Sequence, residues 1–444
     1  MSDESVLPFL SQFDPPERAE GSLDPLGLYS TADALGVRLA PGVRERQSKP
    51  RYLTLALAGM VACGEELAAA GEAGRLPAWL VYEWTVVESL VRQLRGTPTL
   101  QGIPGRDKVL SALEAGDVVC ARTYLKSPAV FGFHGIYRVL GVKTGLFSAE
   151  GQPLGQGYRV LSAWQADQGL AGFVEGDDGP GPELRRTIKR VVRAGVEAGQ
   201  ARDPGAEARR LIAAHLNPHS PGTRESEELW NALTQTDALR GEFCGCLTAP
   251  EGQRAWLGAN GSEARLHAWL AERASGTMQQ LLAAIRAYER LARLLTDAFD
   301  EMRWRMTEER APVSTAWLGD GPAARQATAL GRGACADALG QLGEIDPALR
   351  LRAERSLSWV GDAVTPEAFA AQLLEHHGRV QRAKPPNGKR TWFDTFGDGR
   401  VAIRPAYTLA EFTVRGDEFV HAYRAQPLWS FATDLGRFPA PGGA

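Results

Sequence analysis

At 444 residues the chain is longer than one typical hydrophobic core requires, which predicts two or three domains. Its 44% hydrophobic and 23% charged residues are ordinary for a soluble globular protein. A formal net charge of -3 excludes a general attraction of the whole chain to nucleic acid, so any such binding has to come from a local basic patch.

The sequence shows no clear signal peptide, membrane-spanning segment or metal-binding motif. The start at Met1–Glu4 is acidic, whereas a signal peptide begins with basic residues. The apolar run Leu53–Cys63 is too short to span a bilayer. Five cysteines, an odd number, favour a reducing compartment, and Cys244 and Cys246 are too close to be a zinc signature. We therefore expect a cytoplasmic protein with no membrane contact, no cofactor and no metal.

The N-terminal part, residues 1–100, combines a basic arm with a pair of helices. Basic residues dominate Arg38–Arg51, which is either an arm that follows phosphates or a solvated connector. Apolar residues at three- and four-residue steps predict helices over Arg51–Ala70 and Pro77–Arg95. Three aromatic residues of the second helix are either a stacking platform for bases or core: Trp79, Tyr82 and Trp84.

Residues 101–175 have the most readable pattern. Helical patterns over Asp107–Ala115, Val118–Leu125 and Phe133–Lys143 precede a turn at Glu150-Gly151 and a return through Leu154–Leu161. The order is three helices, a two-stranded wing and a fourth helix. This stretch, about 60 of the 444 residues, resembles the winged helix-turn-helix superfamily. The resemblance implies that the third helix lies in the major groove and the wing lies along the backbone, although such modules also bind proteins.

A local excess of positive charge accompanies this pattern. Between Arg122 and Arg159 the only acidic residue is Glu150, a balance that suits phosphate contacts. Gly135 and Gly141 are unfavourable inside the third helix and depart from the resemblance. The candidate nucleic-acid-binding residues here are Arg122, Lys126, His134, Tyr137, Arg138, Lys143 and Arg159.

A helical domain is predicted over residues 183–380, after a Gly/Pro-rich linker. Its first helix, Glu183–Gln200, has one apolar and one basic face, and the basic face either contacts nucleic acid or an acidic partner or is simply solvated. Its longest helix is expected at 277–309. The candidate contact residues are Arg185, Arg186 and Lys189.

The C-terminal part, residues 381–444, is predicted to hold a β-hairpin and an aromatic tail. The strands are expected over Thr391–Phe396 and Arg400–Arg404. Here Lys384, Lys389 and Arg390 are candidates for nucleic-acid contact. A catalytic alternative uses His376 or His377 as a general base with Lys389 holding a phosphate, and a plain surface hairpin is the third interpretation.

The predicted fold is therefore mainly α and multidomain, with helical bundles, an embedded winged helix and a small C-terminal β-hairpin. No nucleophile elbow, Walker loop or Rossmann fingerprint is visible, which favours a non-catalytic nucleic-acid-binding or adaptor subunit. Its partners are expected to be DNA, bound through the backbone, and other proteins of a complex. The Ala/Arg/Gly-rich composition is typical of bacteria and fits a component of an anti-phage defence system. The alternatives are a nuclease and a protein-binding scaffold without nucleic-acid contact.

Overall fold

The computed structural model describes residues 24–72, 76–219, 221–385 and 387–438, the side chains of 65–72 excepted. The chain is mainly helical, as predicted, and divides into two compact units. Among the described residues, the first unit contains 24–35 and 262–423, and the second contains 36–261 and 424–438. Helix α1 (Tyr29–Leu39) contributes residues to both.

The second unit is built on two buried helices, α2 (Tyr52–Glu72) and α3 (Ala78–Leu94). Helix α3 is buried on nearly all sides, because α2, α4, α6, α8 and α9 all pack on it. The remaining helices of this unit are α4 (Arg106–Glu114), α5 (Pro128–Phe131), α6 (Phe133–Lys143), α7 (Gly155–Asp167), α8 (Pro180–Ala198), α9 (Ala206–His215), α10 (Thr223–Gln235), α11 (Ala238–Thr248), α12 (Pro250–Gly258) and α20 (Ala425–Asp434).

The first unit is organised around the 34-residue helix α14 (Gly276–Glu309), which packs along α16 (Pro322–Ile345). Ser275 accepts a hydrogen bond from Met278 N and caps the start of α14. The other helices of this unit are α13 (Glu263–Ala271), α15 (Thr315–Gly319), α17 (Pro347–Leu357), α18 (Trp359–Asp362) and α19 (Pro366–Arg382).

A small antiparallel sheet completes the first unit and confirms the predicted hairpin. Strand β1 (Phe393–Thr395) pairs with β2 (Val401–Ile403), with Phe393 opposite Ile403. Val313 adds a bridge, since its N–H donates to Val401 O at 2.9 Å and its carbonyl accepts from Val401 N at 2.8 Å. The strands are shorter than the sequence predicted.

The helix predicted over Val118–Leu125 is wrong. This stretch forms turns, because its polar groups are used locally and by another segment. The Thr123 hydroxyl donates to Val118 O at 2.7 Å and accepts from Cys120 N at 2.9 Å. The backbone N–H of Ala201 donates a hydrogen bond to Val119 O at 2.7 Å. Because these polar groups are bonded in this way, the stretch does not form the regular i to i−4 hydrogen bonds of an α-helix.

Candidate functional site

The start of α6 is held by a buried carboxylate. Glu83, from the centre of α3, accepts a hydrogen bond from His134 N at 2.9 Å and another from the Tyr124 hydroxyl at 2.8 Å. Gly132 precedes the helix, and a Cβ there would lie 2.0 Å from a Glu83 oxygen, so only glycine lets the two elements come this close. Burial raises the pKa of Glu83 to about 7. One side chain therefore sets where α6 begins.

Helix α6 has one buried and one exposed face. On the buried face the Tyr137 hydroxyl accepts hydrogen bonds from Ser48 N at 3.0 Å and Lys49 N at 2.8 Å. On the other face Arg138 and Lys143 are exposed. Val139 is 42% exposed between them. We call the solvent face formed by Arg138, Val139 and Lys143 the α6 surface.

A short hairpin, residues 146–154, follows α6. Leu154 N donates to Leu146 O at 2.9 Å, and Ser148 N donates to Gln152 O at 2.8 Å. The exposed Arg138 donates to Ala149 O at 2.7 Å and so ties the hairpin to α6. This hairpin is closed by an isolated β-bridge and does not form regular strands.

Two glycines let the hairpin lie close to the helices. A Cβ at Gly141 would stand 2.0 Å from the Phe147 ring, and one at Gly157 of α7 would stand 2.1 Å from Leu146 O. At a third glycine, Gly135, a Cβ would stand 2.2 Å from Ala129 O. The glycines that look unfavourable for a helix are therefore positions of close approach.

The predicted nucleic-acid contacts divide into exposed and buried residues. Arg122 and Lys126 are exposed, with Arg122 3.8 Å from Asp117. Arg159, also exposed, donates to Gln156 and lies 3.7 Å from Glu228.

His134 and Tyr137, by contrast, belong to the interior. His134 stacks on Trp79 with ring centroids 4.6 Å apart, and burial lowers its pKa to about 4. Tyr137 is 1% exposed. Tyr137 packs in the core and His134 is held against Trp79 at the wall of a cavity, so neither ring lies on the solvent face of α6.

The basic residues of α8 also have two roles. Arg185 donates to Phe173 O and Val174 O, both at 2.7 Å, and so closes the segment before the helix. Arg186 donates to Asp177 O at 2.5 Å and lies with Lys189 on a groove-lining face of α8. Arg185 is therefore a structural residue, while Arg186 and Lys189 stay on the surface.

The C-terminal candidates lie in the first unit. His377 Nδ1 lies 2.9 Å from Pro25 O, and its Nε2 accepts from Trp392 N at 3.1 Å. This arrangement assigns the Nδ1–H tautomer, and burial lowers the pKa to about 4.

The second histidine of this pair has a similar position. His376 Nε2 lies 2.8 Å from Leu26 O, and burial lowers the pKa of this imidazole as well. With both rings bonded to the backbone, the geometry gives no support to either histidine as a general base. Lys384 donates to Asp24 O at 2.7 Å, whereas Lys389 is half-buried and Arg390 exposed.

The described residues contain neither a metal site nor a membrane span. Within 24–72, 76–219, 221–385 and 387–438, no group of three His, Cys, Asp or Glu side chains is placed to hold a metal ion. No helix among these residues is both long and apolar enough to cross a bilayer.

Sequence reasoning missed Glu83. The sequence does contain a signal for it, because an acidic residue interrupts the apolar stretch Leu80–Val91, where an unpaired carboxylate is costly.

Comparison of the chain with protein-family models, with curated proteins and with solved structures gives no match.

Proposed function

We propose that the chain is a non-catalytic subunit that binds the phosphate backbone of duplex DNA through the α6 surface and positions partner proteins there. The observation that carries this proposal is the charge of that region. No Asp or Glu occurs between Asp117 and Glu150, and Arg138 and Lys143 are exposed on α6. A local patch of this kind attracts phosphates despite the negative net charge of the chain.

The arrangement of residues 106–167 is the second support. In a winged helix-turn-helix module, α4, α5 and α6 would be the three helices and the 146–154 hairpin the wing. The second helix would be reduced to the four residues Pro128–Phe131. The bond from Arg138 to Ala149 O would hold the wing beside the recognition helix.

The side chains of α6 favour backbone contact over base readout. Arg138 and Lys143 flank Val139, and this face carries no Asn, Gln, Asp or Glu for reading adenine or cytosine. Arg138 could read guanine, but it is already bonded to Ala149 O. His134 and Tyr137 are packed inside. Binding is therefore expected to depend on salt much more than on DNA sequence.

The test is a salt titration of DNA binding. Fluorescence anisotropy with two short duplexes of unrelated sequence should give similar affinities. Arg138→Gln with Lys143→Gln should weaken binding about tenfold and reduce the slope of log K against log salt by about 2. The matched control is Arg332→Gln with Arg352→Gln, which removes the same charge from exposed positions of the first unit. Absence of binding at low salt, or equal losses in both double variants, overturns the proposal.

A protein-binding scaffold is the second candidate function, and one observation favours it. Among the described residues thirteen large hydrophobic side chains are exposed, and six of them lie between residues 118 and 158. Concentrated exposed apolar residues mark interaction surfaces. The six are Val118, Val130, Phe131, Val139, Leu154 and Tyr158.

This second function is tested by affinity purification from the native host. A partner that is lost with Val139→Asp but kept with Leu351→Asp, an exposed leucine of the first unit, supports a scaffold. If that partner binds equally well to both variants, this surface is not its docking site.

A further inference from the structure

A cavity of about 390 Å³ lies in the second unit, between α2, α3, α6 and the 146–154 hairpin. Its volume is within the range of small-molecule sites. Most of its wall is apolar or aromatic, with Met60, Trp79, Tyr82 and Phe147 among the lining residues, and Arg138 lies at its mouth.

Backbone geometry keeps this space open. Helix α2 is kinked at Gly64, which has a φ of 65°, and no described atom lies within 4 Å of where its Cβ would be. At Gly59, five residues earlier, a Cβ would lie 2.5 Å from the Tyr82 ring. A side chain at Gly59 would therefore displace Tyr82, and one at Gly64 would be strained.

The inner wall suits a flat, uncharged ring system. Tyr82 is buried, and its hydroxyl is already used, since it donates to Leu55 O at 2.7 Å. Trp79 is half-buried and stacks on His134. Because that imidazole is neutral near pH 7, the aromatic wall carries no charge. Aromatic rings favour stacked or edge-on contact with other rings.

The mouth of the cavity carries one cation. Arg138 donates through one nitrogen to Ala149 O, and a guanidinium has five N–H groups in a planar fork. The acidic residue of the mouth, Glu150, is fully exposed and accepts a hydrogen bond from Ser148. The pKa of Glu150 is lowered by that bond and, to a smaller extent, by the charge of Arg138, with which it makes no ion pair within 4 Å among the described residues. Arg138 therefore has donors left for a second acceptor.

We infer that this cavity is a binding site for a flat aromatic molecule with one acidic group. Its rings lie against Met60, Trp79 and Tyr82, and its acid accepts hydrogen bonds from Arg138 at the mouth. This inference shares Arg138 with the α6 surface but does not rest on DNA binding, because its test contains no nucleic acid and its cavity variants lie outside that surface.

The probe is 8-anilinonaphthalene-1-sulfonate, a flat aromatic anion that fluoresces in apolar surroundings. The full chain should bind it with a stoichiometry of one. Met60→Trp, which fills the cavity, should raise its Kd about tenfold or more. Gln152→Trp blocks the mouth from an exposed position and should have the same effect if Met60→Trp does not fold.

The anionic group is tested separately. Arg138→Gln should raise the Kd of the sulfonate about fivefold and leave that of the neutral analogue N-phenyl-1-naphthylamine unchanged. Lys108→Gln, an exposed charge on α4 outside the cavity lining, is the matched control. Binding that is indifferent to both Trp variants overturns the site. If Arg138→Gln changes the Kd of both probes equally, the inference that Arg138 binds an acidic group of the ligand is overturned.

Discussion

Glu83 is the residue that most directly links the core of the second unit to the α6 surface. A carboxylate that is 0% exposed is costly unless it is protonated or hydrogen-bonded. Its two donors, His134 N and the Tyr124 hydroxyl, belong to α6 and to the turn before it. The orientation of the α6 surface therefore depends on a group whose pKa lies close to neutrality.

This residue makes the stability of α6 depend on pH. The pKa of Glu83 rises from 4.5 to about 7 on folding, so between these values the folded chain holds a proton that the unfolded chain has released. The free energy of unfolding should fall by about 3 kcal/mol as pH rises from 4.5 to above 7. Glu83→Gln cannot ionise and should remove this fall. Hydrogen exchange of the α6 amides, compared at each pH, measures the difference.

The control is Glu114→Gln, which removes a carboxylate from the exposed end of α4. A Glu83→Gln variant whose α6 exchange follows the wild type at every pH would show that Glu83 does not titrate in this window. A variant that is less stable than the wild type at pH 8 would show that the ionised carboxylate is the stabilising form.

At the level of elements, glycine spacing decides how the hairpin meets α6. The Cβ of an alanine at position 141 would stand 2.0 Å from the Phe147 ring, which is 1% exposed and has little room to move. At Gly155, at the start of α7, no atom of the described residues lies within 4 Å of the corresponding Cβ position. These two helical glycines form a natural pair for an experiment.

Gly141→Ala should destabilise the second unit, and Gly155→Ala should not. Overpacking at position 141 costs about 1–3 kcal/mol, partly offset by the better helix propensity of alanine. Gly155→Ala should be neutral or stabilise by up to about 1 kcal/mol. Urea unfolding midpoints of the two variants measure the contrast. Equal midpoints would mean that the hairpin moves away from α6 at little cost.

Most helices are predictable where local signals are complete. The bounds of α6 are predicted to the residue, and the apolar face predicts α14 to within one residue. Turns replace the predicted helix at 118–125 partly because Val119 O accepts a hydrogen bond from Ala201 N, about 80 residues away in sequence. Periodicity carries no information about such a partner.

The candidate site is less predictable than the helices. Arg138 and Lys143 are exposed as a basic pattern suggests, but Tyr137 on the same helix is buried. Which side of α6 faces the core depends on Ser48 and Lys49, which bind the Tyr137 hydroxyl from far along the chain. The paired histidines of α19 look catalytic in sequence and are bonded to backbone carbonyls in the structure.

At the scale of the whole molecule, each unit is closed by segments far apart in sequence. The second unit begins at Gly36 and includes α20, the last helix. Lys49 pairs with Asp434, and Arg424 pairs with Glu45 at 2.8 Å. Helix α20 also packs on α11. The last helix therefore holds together a unit whose other parts are made much earlier in the chain, and such long-range closure slows folding.

Removing the buried face of α20 should loosen α11. Leu428 and Phe431 are both 0% exposed, and truncating each to alanine costs about 3 kcal/mol or more. The Leu428→Ala, Phe431→Ala variant should therefore lose hydrogen-exchange protection across Ala238–Thr248. The matched control is Gln426→Ala with Thr433→Ala, two exposed positions of the same helix, and should exchange like the wild type. If α11 stays protected in both variants, the buried face of α20 does not hold α11, and α20 is held in this unit mainly by the ion pairs of Asp434 with Lys49 and of Arg424 with Glu45.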